Sequence, residues 1–158
     1  MITPDFLRIQ LVDLRTRHPD AFDNARYVDV GVGWVPLVED FLVSSPTSVD
    51  ELKQKYGRLR ISCSGDTDAV WLAHVLAEER SAHRCEVCGN PGFIRRPPPP
   101  LWSWWQCRCD EHASSDQLAW PRHPSVDVHP VRQIAGRWYQ YDPVADLLVE
   151  VELPERWK

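Results

Sequence analysis

Two closely spaced pairs of metal-ligand residues carry the clearest chemistry in this 158-residue sequence. Cys85 and Cys88 are separated by two residues, and Cys109 and His112 repeat that spacing 20 residues further on. Zinc takes four nitrogen or sulfur ligands in a tetrahedron, and two tight turns can each supply two of them. We therefore predict that these four side chains bind one zinc ion, and the complete ligand set favours a structural rather than a catalytic site.

The residues around these pairs predict a treble-clef zinc finger over residues 85–120. Gly89 suits the first turn because glycine tolerates a positive φ, and the second pair fits the first turn of a helix. Between the two pairs, residues 93–96 and 102–105 can form a hairpin that has the four prolines of 97–100 at its tip.

Other interpretations of the cysteines stay open at this point. Cys107 could replace Cys109 as a ligand, although alternation along a strand would point their two sulfurs to opposite faces. The cysteines could also form disulfides or be isolated buried thiols. The sequence shows no leader pattern and no apolar run of about 20 residues, which predicts a cytoplasmic protein. Thiols stay reduced in that compartment, so clustered cysteines favour metal binding.

The first half of the chain, residues 1–84, predicts helices with a short strand. An apolar stripe at helical spacing covers residues 5–17. Gly31 and Gly33 predict a turn, after which a proline near the first helical position opens a helix at 36–42.

The next elements follow from capping and alternation signals. Ser48 and Glu51 form a possible capping box, which predicts a short helix over residues 48–56. The alternation of residues 59–63 predicts a strand, and Asp66 is expected to cap a long helix after it. The acidic residues near the end of that helix are expected to face water: Glu78 and Glu79.

The last part of the chain predicts a β hairpin or a small antiparallel sheet. Candidate strands cover residues 126–128, 137–141 and 147–153, and the middle one is expected to alternate with one buried face. The chain as a whole is expected to be one compact α+β unit with three parts: residues 1–84, 85–120 and 121–158.

Two pairs of side chains in the zinc loop are candidates for contact with a partner. Trp102 and Trp104 either fill a small core over the zinc or form an exposed binding surface, where tryptophan is enriched. Arg95 and Arg96 are either solvated charges at the rim or contacts to an acidic partner or nucleic acid.

The charge of the chain favours some partners over others. The formal net charge is −5 and the isoelectric point is about 5.6. Nonspecific nucleic-acid binding depends on lysine and arginine neutralising phosphates, so this balance weighs against it without excluding a local basic patch. An acidic surface suits a basic protein partner instead.

The sequence resembles a family of small treble-clef zinc proteins of bacteria and their phages. The resemblance covers about residues 31–113, and the tail from Ser114 is outside it. It rests on five motifs, which stand here as Gly31-Val32-Gly33-Trp34, Lys55-Tyr56-Gly57-Arg58-Leu59-Arg60, Ala77-Glu78-Glu79-Arg80-Ser81, Cys85-Glu86-Val87-Cys88-Gly89-Asn90-Pro91-Gly92 and Cys109-Asp110-Glu111-His112-Ala113. The four prolines and Cys107 depart from the pattern. The resemblance implies the zinc ligands and the fold, and it carries no activity.

These observations lead to an expected role with two alternatives. We expect a non-enzymatic, zinc-stabilised immunity or antitoxin protein that binds and neutralises a bacterial toxin or effector. One alternative is a nucleic-acid-binding zinc finger of phage or plasmid origin, suggested by the arginines around the finger: Arg84, Arg95, Arg96 and Arg108. The other is an HNH-like metal-dependent nuclease, which needs a histidine base at the end of the first hairpin strand, and neither 93–96 nor 102–105 contains one.

Overall fold

Over the residues that the structure describes, the fold mixes a few helices with three small sheets, which confirms the predicted α+β class. A computed structural model describes residues 12–121, 131–153 and 155. The beginning of the first predicted helix and the predicted strand at 126–128 lie outside the described residues. The helices are α1 (residues 12–17), α2 (Pro19–Phe22), α3 (Val35–Ser44), α4 (Asp68–Ser81) and α5 (Ser115–Ala119), with a 3₁₀ turn at Val32–Trp34.

The strands form one mixed sheet and two antiparallel ones. Their bounds are β1 (Tyr27–Asp29), β2 (Val49–Lys55), β3 (Arg58–Cys63), β4 (Phe93–Arg95), β5 (Gln106–Arg108), β6 (Arg132–Ile134), β7 (Arg137–Asp142) and β8 (Leu147–Val151). In the first sheet β2 lies between β1, which is parallel to it, and β3, which is antiparallel. β4 pairs with β5, and β7 is the central strand between β6 and β8.

The main core is formed by side chains of α3, α4 and the first sheet. α3 is mostly apolar, with a proline in its first turn, where the missing N–H costs nothing. Trp34, just before α3, is fully buried, and its indole Nε1 donates to the backbone oxygen of Arg84 at 2.9 Å. Other side chains of this core with at most 2 % exposure are Leu14, Val38, Phe41, Leu42, Val49, Leu52, Leu59 and Cys107.

The predicted short helix over residues 48–56 is wrong, because this segment is strand β2. Val49 and Leu52 are both fully buried and three residues apart, a spacing that favours a helix over a regular strand. The pairing with β3 has an irregularity between Val49 and Glu51. The extra residue, Asp50, shifts the alternation by one position, so both apolar side chains point into the core.

The predicted cap of the long helix is displaced by one residue. Thr67, not Asp66, is the N-cap of α4, and its Oγ1 accepts a hydrogen bond from the backbone N–H of Val70 at 3.3 Å. Asp66 is exposed. Both residue types favour this position, so local sequence does not choose between neighbours.

The prediction that Glu78 and Glu79 face water is wrong. Each is only 3 % exposed. Glu78 accepts hydrogen bonds from the imidazole of His74 at 2.9 Å and from the backbone N–H of Ile61 at 3.0 Å. Glu79 accepts from the guanidinium of Arg58 at 3.1 Å. The end of α4 therefore packs against strand β3 through charged side chains that are fully paired.

These contacts also protect the outer edge of the first sheet. β3 is an edge strand, and an edge strand exposes backbone N–H groups that can pair with another chain. The N–H of Leu59 donates to Ser81 Oγ at 2.8 Å, beside the bond from Ile61 to Glu78. Side chains of α4 thus occupy positions that a further strand would take.

The C-terminal sheet is held to α4 by ion pairs. Arg132 on β6 reaches Glu79 at 3.1 Å and Glu78 at 3.4 Å. Arg80 contacts Asp146, in the turn before β8, at 2.9 Å. The hydroxyl of Tyr141 donates to the same carboxylate at 2.6 Å.

Strand β7 has no fully buried face. Trp138, Tyr139 and Tyr141 are half-buried and Gln140 is exposed, so the expected alternation of one buried face is wrong. The sheet packs on polar and charged side chains of α4, and such a contact does not require an apolar face. The strands at 137–141 and 147–153 were otherwise predicted close to their observed positions.

The buried Glu78 carboxylate predicts a pH-dependent stability. Burial acts to raise its pKa, but the hydrogen bond and charge of His74, with the N–H of Ile61 and the charge of Arg60, hold the pKa below the ordinary value. A lowered folded-state pKa means that the unfolded chain binds more protons. The stabilising contribution is therefore complete above the unfolded pKa of about 4.3 and is lost as the pH falls through the folded value.

We expect Glu78→Gln to lower the free energy of unfolding at pH 7 by about 3 kcal/mol, because it leaves buried cations unpaired. The difference between Glu78→Gln and wild type should shrink between pH 5 and 3, measured by urea unfolding. The matched control is Glu150→Gln, whose ion pair with Arg137 is exposed and should change stability by less than about 0.5 kcal/mol. If the difference in unfolding free energy between Glu78→Gln and wild type stayed constant down to pH 3, the ionised Glu78 carboxylate would not be the stabilising group.

Candidate metal centre

The structure brings the four predicted ligand side chains together. One ligand atom of each lies within 4.8 Å of all the others, in a group formed by Cys85, Cys88, Cys109 and His112. The Sγ atoms of Cys88 and Cys109 are 3.7 Å apart, and Nδ1 of His112 lies 3.2 Å from Cys109 Sγ and 3.8 Å from Cys85 Sγ. This cluster of three sulfurs and one nitrogen could hold a metal ion.

The separations fit a tetrahedral ion of the size of zinc. A Zn–S bond of about 2.3 Å and a tetrahedral angle place two sulfurs about 3.8 Å apart, and a sulfur and a nitrogen slightly closer. The distance between the sulfurs of Cys88 and Cys109, 3.7 Å, agrees with the first value, and the two sulfur–nitrogen distances to His112, 3.2 and 3.8 Å, lie on either side of the second. Thiolate and imidazole ligands are the set that zinc prefers, whereas calcium and magnesium prefer oxygen.

The first ligand pair lies on a tight backbone turn. The N–H of Gly89 donates to the backbone oxygen of Cys85 at 2.8 Å, and the N–H of Cys85 donates to the oxygen of Asn90 at 2.8 Å. Gly89 has a φ of +77°, which glycine adopts without the steric cost that other residues meet. This is the role that the sequence predicted for Gly89.

The second pair lies on a separate turn rather than in the first turn of a helix. The N–H groups of His112 and Ala113 both donate to the oxygen of Cys109, at 3.2 and 2.9 Å. α5 begins three residues after His112, because Ser114 and Gln117 form a capping box that starts the helix there. The predicted placement of the pair within the first turn of a helix is therefore wrong, because the pair lies on the turn that precedes α5.

The hairpin between the ligand pairs is shorter than predicted. β4 matches the first predicted strand, but its partner β5 begins at Gln106, so residues 102–105 precede the strand. Arg95 pairs with Gln106 in this register. The tryptophans at positions 102, 104 and 105 are therefore in the loop before the strand.

Cys107 is not part of the cluster. It is fully buried in the main core, and its Sγ donates to the backbone oxygen of Ala82 at 3.4 Å. Burial raises the pKa of this thiol well above its ordinary value, so it stays protonated. All five cysteines lie in the described residues and none forms a disulfide. These placements favour Cys109 over Cys107 as the ligand.

The electrostatics of the cluster favour a bound cation. Burial opposes ionisation of Cys85, but hydrogen bonds from nearby backbone N–H groups lower the pKa of its thiol. Burial and the neighbouring sulfurs of Cys109 and Cys85 raise the pKa of Cys88 to about 11. Three thiolates so close together repel one another, and a divalent cation between them removes that repulsion.

The two glycines before Trp34 pack directly against the first turn of the cluster. The N–H of Gly33 donates to the backbone oxygen of Glu86 at 2.8 Å. A Cβ on Gly33 would lie 2.2 Å from the oxygen of Cys85, and one on Gly31 would lie 2.1 Å from the oxygen of Glu86. The turn predicted for these glycines does not include this contact. The sequence signal that points to it is a Gly-x-Gly pair next to a tryptophan.

Arg95 is not a surface residue, so its predicted part in binding a partner is corrected. Its side chain is 4 % exposed and contacts the Asp110 carboxylate at 2.7 Å, and its Nε donates to the backbone oxygen of Arg108 at 3.1 Å. Arg108 in turn forms an ion pair with Glu86. These arginines connect the hairpin to both ligand turns.

Trp102 and Trp104 do not cover the cluster as a small core. Their side chains are 98 % and 79 % exposed. Trp105 is half-buried and packs against Tyr56, with 5.3 Å between the ring centroids. The guanidinium of Arg96 lies over the ring of Trp105, 4.6 Å from its centroid. Of the two interpretations from the sequence, the exposed surface is the one that the placement fits.

The remaining described histidines make other contacts. His18 Nε2 lies 2.9 Å from the Glu39 carboxylate, His74 pairs with Glu78, and His83 is half-buried against the ring of Tyr141, at 5.3 Å between centroids. Burial lowers the pKa of His83. His123 and His129 lie outside the described residues.

Comparison of the chain with protein-family models, with curated proteins and with solved structures gave no match. The resemblance drawn from the motifs therefore stays a prediction. Within the described ranges, no helix has the length and apolar character needed to cross a membrane.

The cluster predicts that each chain binds one zinc ion and needs it for stability. Cys88→Ser should lose the metal and lower Tm by about 10 °C or more, because structural zinc contributes directly to the folding energy. Zinc content per chain and thermal unfolding measure this. The control is Cys107→Ala, which should keep one zinc per chain despite a packing loss. Retained zinc in Cys88→Ser, or lost zinc in Cys107→Ala, would show that the ligands are wrongly assigned.

The contact at Gly33 predicts that a single methyl group weakens both the fold and the metal site. Gly33→Ala should lower the free energy of unfolding by about 2 kcal/mol or more, since backbone atoms must move to make room, and competition with a chelator should show weaker zinc binding. Gly136→Ala is the control. A Cβ on residue 136 would have no heavy atom within 4 Å, so the substitution adds only the strain of a φ of +77°. Gly136→Ala should therefore lower the free energy of unfolding by about 1 kcal/mol and leave the zinc affinity unchanged. If both variants changed the free energy of unfolding and the zinc affinity equally, the contact at Gly33 would not couple the fold to the metal site.

Proposed function

We propose that this protein is a non-enzymatic, zinc-stabilised binding protein, in which a treble-clef finger holds a tryptophan surface for a partner protein. The order of a Cys-x-x-Cys turn, a hairpin, a Cys-x-x-His turn and a short helix supports the treble clef. The single observation that carries the binding role is the exposure of Trp102 and Trp104. Exposed large aromatic side chains close together are typical of protein interaction sites.

The loop that carries these tryptophans is anchored at both ends. Its first end leaves β4, where Arg95 is buried and paired with Asp110 beside the cluster. Its second end enters β5, where Trp105 packs on Tyr56 and its backbone oxygen accepts a hydrogen bond from Gln54. A surface held in place in this way loses little conformational entropy on binding, which favours affinity.

Within this class we propose an immunity or antitoxin protein that binds and neutralises a bacterial toxin or effector. The support is indirect and comes from the small size, the acidic net charge of −5 and the exposed tryptophans.

The ion pairs weaken the nucleic-acid alternative. Three of the four arginines that suggested it are occupied by carboxylates, because Arg84 contacts Asp146, Arg95 contacts Asp110 and Arg108 contacts Glu86. A paired arginine must give up its partner before it can neutralise a phosphate, so the finger offers little of the charge that this binding requires.

A native mass spectrum of the protein, purified at its natural level from the cells that produce it, tests the proposed function. We expect one chain, one zinc and one partner protein. The double variant W102A/W104A should lose the partner, since tryptophan hot spots each contribute about 2 kcal/mol or more, and should keep the zinc.

The control is Val144→Ala, which removes another exposed apolar side chain, 94 % accessible in the turn before β8. It should retain the partner. A protein that carries zinc and no partner, or a partner that stays bound to W102A/W104A, would overturn the proposed function while leaving the metal site intact.

A further inference from the structure

Most of the arginines and lysines that the structure describes form ion pairs with carboxylates of the same chain. Among the described residues, the arginines and lysines that make no ion pair are Arg15, Lys55 and Arg96. Arg15 is on α1, whereas the other two lie beside the tryptophan loop. In the described part of the chain, two of the three unpaired cations are thus beside the surface already proposed for binding.

These two cations lie at either end of a short row of aromatic rings. The ammonium of Lys55 lies over the ring of Tyr56, 5.8 Å from its centroid. Tyr56 contacts Trp105, and Arg96 lies over the other end of that pair. We call this row, together with Trp102 and Trp104, the aromatic–cation patch. Tyr56 is 60 % exposed, so the row is open to solvent.

Held over aromatic rings, the cations keep their charge and their hydrogen-bond donors. A cation–π contact needs only the face of the ring and leaves N–H groups free to bond elsewhere. The arginine can still offer a paired set of N–H donors, which matches a carboxylate. The ring contact also restricts each side chain and so lowers the entropy cost of binding.

We propose that the partner binds the aromatic–cation patch through an acidic segment of protein, with carboxylates at Lys55 and Arg96 and an apolar side chain between Trp102 and Trp104. This inference rests on the proposed function and gives the chemistry of its binding surface. It differs from the expectation of a basic partner, which came from the net charge of the whole chain rather than from this surface.

The number of free cations favours a short acidic protein segment over a polyanion. Nucleic-acid affinity depends on how many phosphates are neutralised, and the patch offers two cations on a chain of net charge −5. The negative net charge of the chain would also repel an anionic membrane. One or two carboxylates on a folded or extended partner match two cations without requiring a long basic track.

The test is selection of random 12-residue peptides displayed on phage against the full-length, zinc-loaded protein. Peptides that fail to bind W102A/W104A are retained, made synthetically and measured by tryptophan fluorescence. We expect them to carry aspartate or glutamate beside an aromatic or aliphatic residue. Their Kd should rise about fivefold in K55E/R96E, as expected for two exposed charge pairs. R15E reverses the third unpaired cation and should leave Kd unchanged.

Three outcomes would overturn the inference. Peptides that depend on the tryptophans but are basic or uncharged, or that bind K55E/R96E equally well, would exclude an acidic segment and leave the proposed function standing. No tryptophan-dependent peptide would exclude the patch as a docking surface. Tighter tryptophan-dependent binding of a single-stranded oligo(dT) or of phosphatidylserine vesicles, used as parallel probes, would assign the patch to nucleic acid or to a membrane surface.

Discussion

The arrangement of this protein depends on the close approach of two backbone segments, the glycines before Trp34 and the first ligand turn of the metal cluster. Gly33 donates to Glu86 at 2.8 Å, and the space beside it admits no Cβ. Trp34 is fully buried, and its indole N–H donates a hydrogen bond to the backbone of Arg84, just before Cys85. The turn that carries Cys85 and Cys88 therefore also packs against the main core. A metal ion at the cluster would therefore stabilise more than the finger itself. Small domains gain much of their stability from such a constraint, since the ligands must be brought together against chain entropy.

The sequence predicted what depends on local spacing. Two pairs of ligands at the same short interval were sufficient to identify the cluster, and glycine and alternation signals placed Gly89 and strand β3. The failures share a physical cause, which is that contacts distant in sequence decided the outcome. The bulge at Asp50 gave a strand the apolar spacing of a helix. The close packing at Gly33 leaves no local mark beyond the glycine itself, and the ion pairs of Glu78 involve arginines up to 54 residues away.

The ion pairs of the molecule show why the net charge of the chain does not predict the charge of any one surface. The formal net charge of −5 describes the whole chain, yet Glu78 and Glu79 are buried and neutralised by arginines of two different sheets. In the described part of the chain, ion pairs occupy most of the lysines and arginines and leave Lys55 and Arg96 unpaired beside the exposed tryptophans. Partner chemistry is set by the groups that remain unpaired at the contact, because paired groups must first be separated before they can bind anything else.

We infer that the four-residue metal cluster and the main core form one cooperative structure. Amide hydrogen exchange of the full-length protein, followed by mass spectrometry with zinc bound and after chelation, measures this cooperativity directly. Zinc removal should deprotect the ligand turn at Cys85 to Gly89 and also the segment from Gly33 through α3, because the two share backbone contacts. Loss of protection confined to residues 85–113, with α3 as protected as before, would contradict it and would make the finger an independent unit.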